Sequence, residues 1–123
     1  MRILIADDEH EIAHALAEFV ESCGHQVSVV TTGGLDVLNT YDRFKPDIVI
    51  MDIMMPRFNG ITVSNALVGK NRAVKIVLIS GKLDADHPFV KGSGAIRFLP
   101  KPVRLEAIKR TLDELGCSAS ASV

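Results

Sequence analysis

The sequence predicts an α/β domain, an open, doubly wound, five-stranded parallel sheet with five helices laid on its two faces. Short apolar runs of the kind buried on both sides of a sheet, such as Ile48-Val49-Ile50-Met51 and Ile76-Val77-Leu78-Ile79, recur along the chain. Segments with helical spacing separate them, and right-handed crossovers between parallel strands must place those helices on both faces. A third observation gives this sheet a working edge. The runs stop at polar residues: Asp7 and Asp8 after the first, Asp52 after the third and Ser80 after the fourth, while Lys101 follows the fifth. In such sheets ligands bind outside the carboxyl ends of the strands, where the strand order reverses.

The size suits one domain, since 123 residues with 47% hydrophobic content can enclose a two-sided core. Fourteen Lys and Arg against fifteen Asp and Glu leave a net charge of -1, which gives no electrostatic case for nucleic acid or an anionic membrane surface as partner. The first residues, MRILIADDEHE, turn acidic without an apolar signal region, and no apolar run approaches the roughly 20 residues of a membrane span, so a cytoplasmic protein is expected. Cys23 and Cys117 form neither a metal-ligand pair nor a disulfide framework.

Residues 2–6 (RILIA) form the first strand. Ile12, Ala15, Leu16, Phe19, Val20 and Cys23 then recur at helical spacing, with Asp8 and Glu11 in capping-box register and Gly24 as a stop. A second strand over 26–31 runs into Gly33-Gly34 and a helix to about Phe44, and Pro46 precedes the strand that ends at Asp52. Pro56 and Gly60 turn the chain away from the sheet, leaving Asp52 at its rim. A helix to about Val68 and the strand 75–79 follow, the strand ending at Ser80-Gly81. Residues 84–94 contain Pro88, Gly92 and Gly94, so the fourth helix is expected to be short or irregular and to start near the proline. The last strand, 95–99, leads to Pro100-Lys101-Pro102 and a helix with Val103, Leu105, Ile108, Leu112 and Leu115 on one face before Gly116. The domain is expected to span 1–116, with a disordered tail at 117–123.

Three carboxylates on one small rim repel each other, which demands either protons or a cation among them. A divalent cation is the economical answer, and an all-oxygen donor set favours Mg²⁺, with Mn²⁺ also suited, over zinc. Met54 could join such a shell only through its main-chain carbonyl, because a thioether is too soft. With a cation beside it, Asp52 is placed to act as a nucleophile towards phosphorus. Lys101 would neutralise the product as a point charge, and the Ser80 hydroxyl would donate to a phosphoryl oxygen.

The set Asp7-Asp8, the string Asp52-Ile53-Met54-Met55-Pro56-Arg57-Phe58-Asn59-Gly60, Ser80-Gly81 and Lys101-Pro102 closely resembles the receiver domain of two-component response regulators, a flavodoxin-like fold. The resemblance covers about residues 2–115. It implies strand order 2-1-3-4-5, Asp52 as phosphoacceptor, Asp7 and Asp8 as the acidic metal pocket, Ser80 as switch hydroxyl, Lys101 as phosphate-contacting lysine, and a cis peptide before Pro102. Phe98 stands where receivers carry a switch Tyr or Phe. Phosphorylation is then expected to draw Ser80 inward and let Phe98 rotate, remodelling the face of helix 4, strand 5 and helix 5. The partners so implied are a histidine kinase or phosphotransfer protein and an output protein or output domain. The chain departs from the pattern at 84–94, where helix 4 is normally longer. Nothing resembling an output domain follows residue 116, which fits either a stand-alone receiver or one cut from a longer regulator.

Three rival readings share some of these residues. A magnesium-dependent phosphatase with an aspartyl nucleophile would use the same acids, but would need a cap or further acids near the phosphate. A nucleotide or flavin carrier would need a Gly- or Ser/Thr-rich cradle where Asp7-Asp8 stands. His10-Glu11-Ile12-Ala13-His14 matches the zinc-peptidase pattern H-E-x-x-H, yet the helical pattern puts both histidines on the wet face with no third ligand downstream.

Overall fold

A computed structural model describes residues 1–120, with side chains to residue 116. The elements run β1 (Arg2–Ala6), α1 (His10–Ser22), β2 (Gln26–Val30), α2 (Gly34–Phe44), β3 (Ile48–Asp52), α3 (Gly60–Lys70), β4 (Lys75–Ser80), α4 (Pro88–Lys91), β5 (Arg97–Pro100) and α5 (Leu105–Ser120). All strand pairings are parallel, and the order β2-β1-β3-β4-β5 is the expected one. Among the described residues, no helix is long and apolar enough to cross a membrane.

Side-chain alternation along the strands divides the interior in two. Ile3, Ile5, Ile48, Ile50, Val77 and Ile79 face one way and pack with Leu16, Ala17 and Val20 of α1 and Ile108, Leu112 and Leu115 of α5. Leu4, Ala6, Val49, Met51, Ile76 and Leu78 face the other way and pack with Val37 and Tyr41 of α2, Val63 and Leu67 of α3, and Val90 of α4. β3 is buried along its whole length, which explains why its run reads as continuously apolar.

Several local expectations are corrected. No capping box forms at α1: Glu9, not Asp8, is the N-cap, and its side chain makes no capping bond but accepts from Lys101 Nζ. The face of α1 turned to the sheet is Ala13, Leu16, Ala17 and Val20, whereas Ala15 is exposed; small alanines at i and i+4 let the helix lie close to the strands. β5 begins two residues later than expected and takes in Pro100, which pairs with Ser80 at the sheet's outer strand, a position that tolerates proline. α5 begins at Leu105, after Val103, and passes through Gly116 to Ser120. Gly116 lacks a left-handed φ, so it forms no C-cap, and it lies under Met1, whose Cε would be 3.1 Å from an added Cβ. Residues 121–123 of the expected tail lie outside the described residues. The fourth helix is the short one expected, four residues beginning at Pro88.

Candidate functional site

Register carries the site residues to one rim. Ala6 pairs with Met51, so Asp7 comes off β1 beside Asp52 at the end of β3; Ile79 pairs with Asp52, and Pro100 with Ser80. Alternation then sorts them. Asp7 and Asp52 continue the Ile3-Ile5 and Ile48-Ile50 series, so both lie on the α1/α5 side, and Lys101 continues from Leu99 on that side. Ser80 continues Ile76-Leu78 on the opposite side, where Phe98 also packs.

One turn device recurs at three strand ends. Asp7 Oδ1 accepts from the Glu9 amide at 2.9 Å, and Asp52 Oδ1 accepts from the Met54 amide at 3.2 Å. Ser80 Oγ accepts from the amides of Lys82 and Leu83 at 3.1 and 3.0 Å. Each polar side chain satisfies the first backbone donors of its own loop, which turns the chain off the sheet and holds the side chain at the rim.

Beyond β3 the chain returns tightly on itself. The Gly60 amide donates to Ile53 O at 2.8 Å, and a Cβ on Gly60 would sit 2.5 Å from Asp52 O, so only glycine allows α3 to start this close to the acid. Asn59 caps α3 by accepting from the Thr62 amide.

Asp7, Asp8 and Asp52 each offer a carboxylate oxygen, all within 4.8 Å of one another. Asp7 and Asp52 are almost wholly buried and Asp8 is exposed. Lys101 Nζ lies opposite, 3.1 Å from Asp52 Oδ2, 3.3 Å from Asp7 Oδ2 and 3.2 Å from Glu9 Oε1. The Asp52 and Glu9 contacts are hydrogen bonds. The Asp7 contact is close without hydrogen-bond geometry, leaving Asp7 Oδ2 as the one buried side-chain oxygen without a hydrogen bond among the described residues. Burial pushes the Asp7 carboxyl above the ordinary aspartate range, against the pull of the Glu9 amide and with added repulsion from Asp52. Burial also opposes the Lys101 cation, but the hydrogen bond and charge of Asp52, with Asp7 and Glu9, outweigh it and hold the ammonium above the usual lysine range.

The arrangement therefore brings together Asp7, Asp8, Asp52 and Lys101, with Met54 on the wall of the same open cleft. Ser80 reaches the rim but faces its own loop, and half-buried Phe98 lies against the core behind it. Sequence reasoning missed Glu9. The available signal was the run of three consecutive acids, Asp7-Asp8-Glu9, at the end of the first strand. Lys101-Pro102 is a cis peptide, as the resemblance implied. His10 and His14 lie exposed, 6.4 Å apart between ring centres, and belong to no group of three potential metal ligands among the described residues.

The orphaned Asp7 oxygen, the clustered carboxylates and the all-oxygen donor set fit a hard divalent cation. Residues 3–113 match the response regulator receiver domain family. The chain belongs to that family. It is 34% identical to the protein PilH of Pseudomonas aeruginosa over 115 residues, covering 91% of this chain and 94% of PilH. It is 30% identical to the chemotaxis protein CheY of Thermotoga maritima over 117 residues, covering 94% and 97%. Among solved structures, CheY4 of Vibrio cholerae superposes with a TM-score of 0.85 at 21% identity, covering 93% of this chain and 97% of that one, a likeness of fold. Receiver domains are signalling switches that bind Mg²⁺ at an acidic pocket and interact with histidine kinases and output domains; here the acidic cluster is that of Asp7, Asp8 and Asp52.

Proposed function

We propose that this receiver, spanning residues 1–116, takes a phosphoryl group onto Asp52 from the phosphohistidine of a histidine kinase or phosphotransfer protein. The observation that carries the reading is the pairing of Asp52 with Lys101 at 3.1 Å beside two further carboxylates. In the transfer, an Asp52 carboxylate oxygen forms a bond to phosphorus as the phosphorus–nitrogen bond breaks, and the imidazole leaves and takes up a proton. Asp7, Asp8, Asp52 and the Met54 carbonyl would hold Mg²⁺, which supplies positive charge to the phosphoryl oxygens when bound.

The chain's own residues do the rest. Lys101, kept cationic by its acidic neighbours, meets a phosphoryl oxygen as a point charge. Ser80 Oγ already accepts from two loop amides, and its own proton is available to a phosphoryl oxygen. Turning towards that oxygen would pull on Lys82 and Leu83 and open space beside Phe98, which shares the Ser80 side of the sheet. The face of α4, β5 and α5 would change, and an output protein or output domain would read it. Water attack on the aspartyl phosphate, assisted by the same site, returns the resting state.

Incubation with acetyl phosphate and Mg²⁺ should produce an acid-stable, base-labile adduct on Asp52, located by peptide mass mapping. Asp52→Asn should abolish it. Equal labelling of the variant would refute the assignment.

A further inference from the structure

Lys101 has three ammonium protons, and two are committed in the resting protein, one to Asp52 Oδ2 and one to Glu9 Oε1. Glu9 differs from the other acids around it. Its side chain is 58% exposed, against 2% for Asp7 and 5% for Asp52. It is brought over the site by its own backbone, since the Glu9 amide is anchored on Asp7 Oδ1 at 2.9 Å. Its carboxylate thus presents an oxyanion to the lysine from the solvent side, on the wall of the cleft that also exposes Asp52, Asp8 and Met54. An anion reaching Asp52 through that cleft would meet Lys101 on the side that Glu9 occupies.

We propose that Glu9 is an anionic placeholder on Lys101, a positioning residue displaced when a phosphoryl group arrives. The inference rests on the phosphoacceptor reading of Asp52 and extends it to how strongly the site takes up phosphate-like anions. Asp52 and Asp7 are fixed by burial, whereas Glu9 can swing into water, so it is the partner that yields. Its contact keeps Lys101 over the cleft while the site is empty, and it weakens the capture of small anionic donors both by holding a donor proton and by like-charge repulsion. The phosphoryl group then completes the lysine's hydrogen bonding in place of Glu9.

Two substitutions separate the contact from the charge. Glu9→Gln keeps the length and removes the charge; Glu9→Asp keeps the charge and shortens the reach to Lys101. Binding of beryllofluoride in the presence of Mg²⁺, followed by fluorine NMR or calorimetry, should tighten about tenfold in Glu9→Gln and severalfold in Glu9→Asp. The Glu9→Gln gain should shrink in high salt. With acetyl phosphate, the gain should fall on the concentration dependence of labelling rather than on its saturating rate. Unchanged beryllofluoride affinity in Glu9→Gln would overturn the inference, as would a Glu9→Asp protein indistinguishable from the parent while Glu9→Gln tightens. A parent protein that binds no beryllofluoride, or binds it equally as Asp52→Asn, would instead overturn the phosphoacceptor reading itself.

Discussion

The loop that follows Asp52 and the loop that follows Ser80 leave the sheet from adjacent strands, yet they are held differently. After Asp52, Ile53 and Met55 are buried and the chain is bonded on both sides: Ile53 N to Ile79 O, Gly60 N back to Ile53 O, and Gly34 N across to Pro56 O. The start of α2 is pressed against this loop so closely that a Cβ on Gly34 would lie 2.1 Å from Phe58 O, and one on Gly33 2.6 Å from Pro56 O. After Ser80 nothing is buried from Gly81 to Phe89, and the loop's first anchor is the serine hydroxyl itself. The comparison teaches a division of labour. The proposed phosphorylation of Asp52 would need a frame that does not give, and the proposed switch at Ser80 a segment whose local stability is low enough to be shifted by one hydrogen bond.

The most severe way to break this contrast is Gly34→Ala. Because the obstructing atoms are the backbone oxygen and Cβ of Phe58 and a methyl of Val63, the loop after Asp52 must shift, and a loss of about 3 kcal/mol is expected in urea unfolding, with slower acetyl phosphate labelling. A next, opposite effect is expected at Asp7. Its folded-state pKa is raised, so the folded protein binds this proton more tightly than the unfolded chain does. Its contribution to stability therefore falls as pH rises through the window between the ordinary aspartate value and the raised one. Asp7→Asn should stabilise the metal-free protein at neutral pH by on the order of 1 kcal/mol, because a neutral amide is cheaper to bury than a carboxylate and does not repel Asp52, and flatten the acid side of its pH–stability curve. Mg²⁺ should raise the melting temperature of the parent and not of the variant.

The smallest expected effect sharpens the other half of the comparison. Ser80→Ala removes the acceptor for the Lys82 and Leu83 amides in a loop water already reaches, so global stability should drop by only about 1 kcal/mol. Hydrogen exchange at those two amides should accelerate far more than exchange in β3. Uniform acceleration across the sheet would mean that this loop is no softer than its neighbour.

The sheet and the rim were legible because both write themselves in runs. Buried parallel strands must be continuously apolar, so Asp7, Asp52 and Ser80 stand out as the residues that interrupt them. What was illegible depends on neighbours distant in sequence. The choice of Ala13 and Ala17 over Ala15 as the inner face of α1 follows from how closely the helix approaches the sheet, which periodicity over a run of alanines does not resolve. Gly116 reads as a stop by composition, but its φ is not left-handed and the helix runs through it, next to Met1. Glu9 drew no reading from the sequence, because its reach to Lys101 spans 92 positions.

Alternation points Asp52 and Lys101 towards one side of the sheet and Ser80 and Phe98 towards the other, so on the proposed function the rim of the sheet is where the two sides meet. Lengthening or shortening β4 or β5 by one residue would move a hydroxyl or an aromatic ring to the opposite side while leaving every residue type in place. Deletion scanning across β4 and β5 should therefore find the spacing of these four positions far less forgiving than the identity of the apolar residues between them is to substitution.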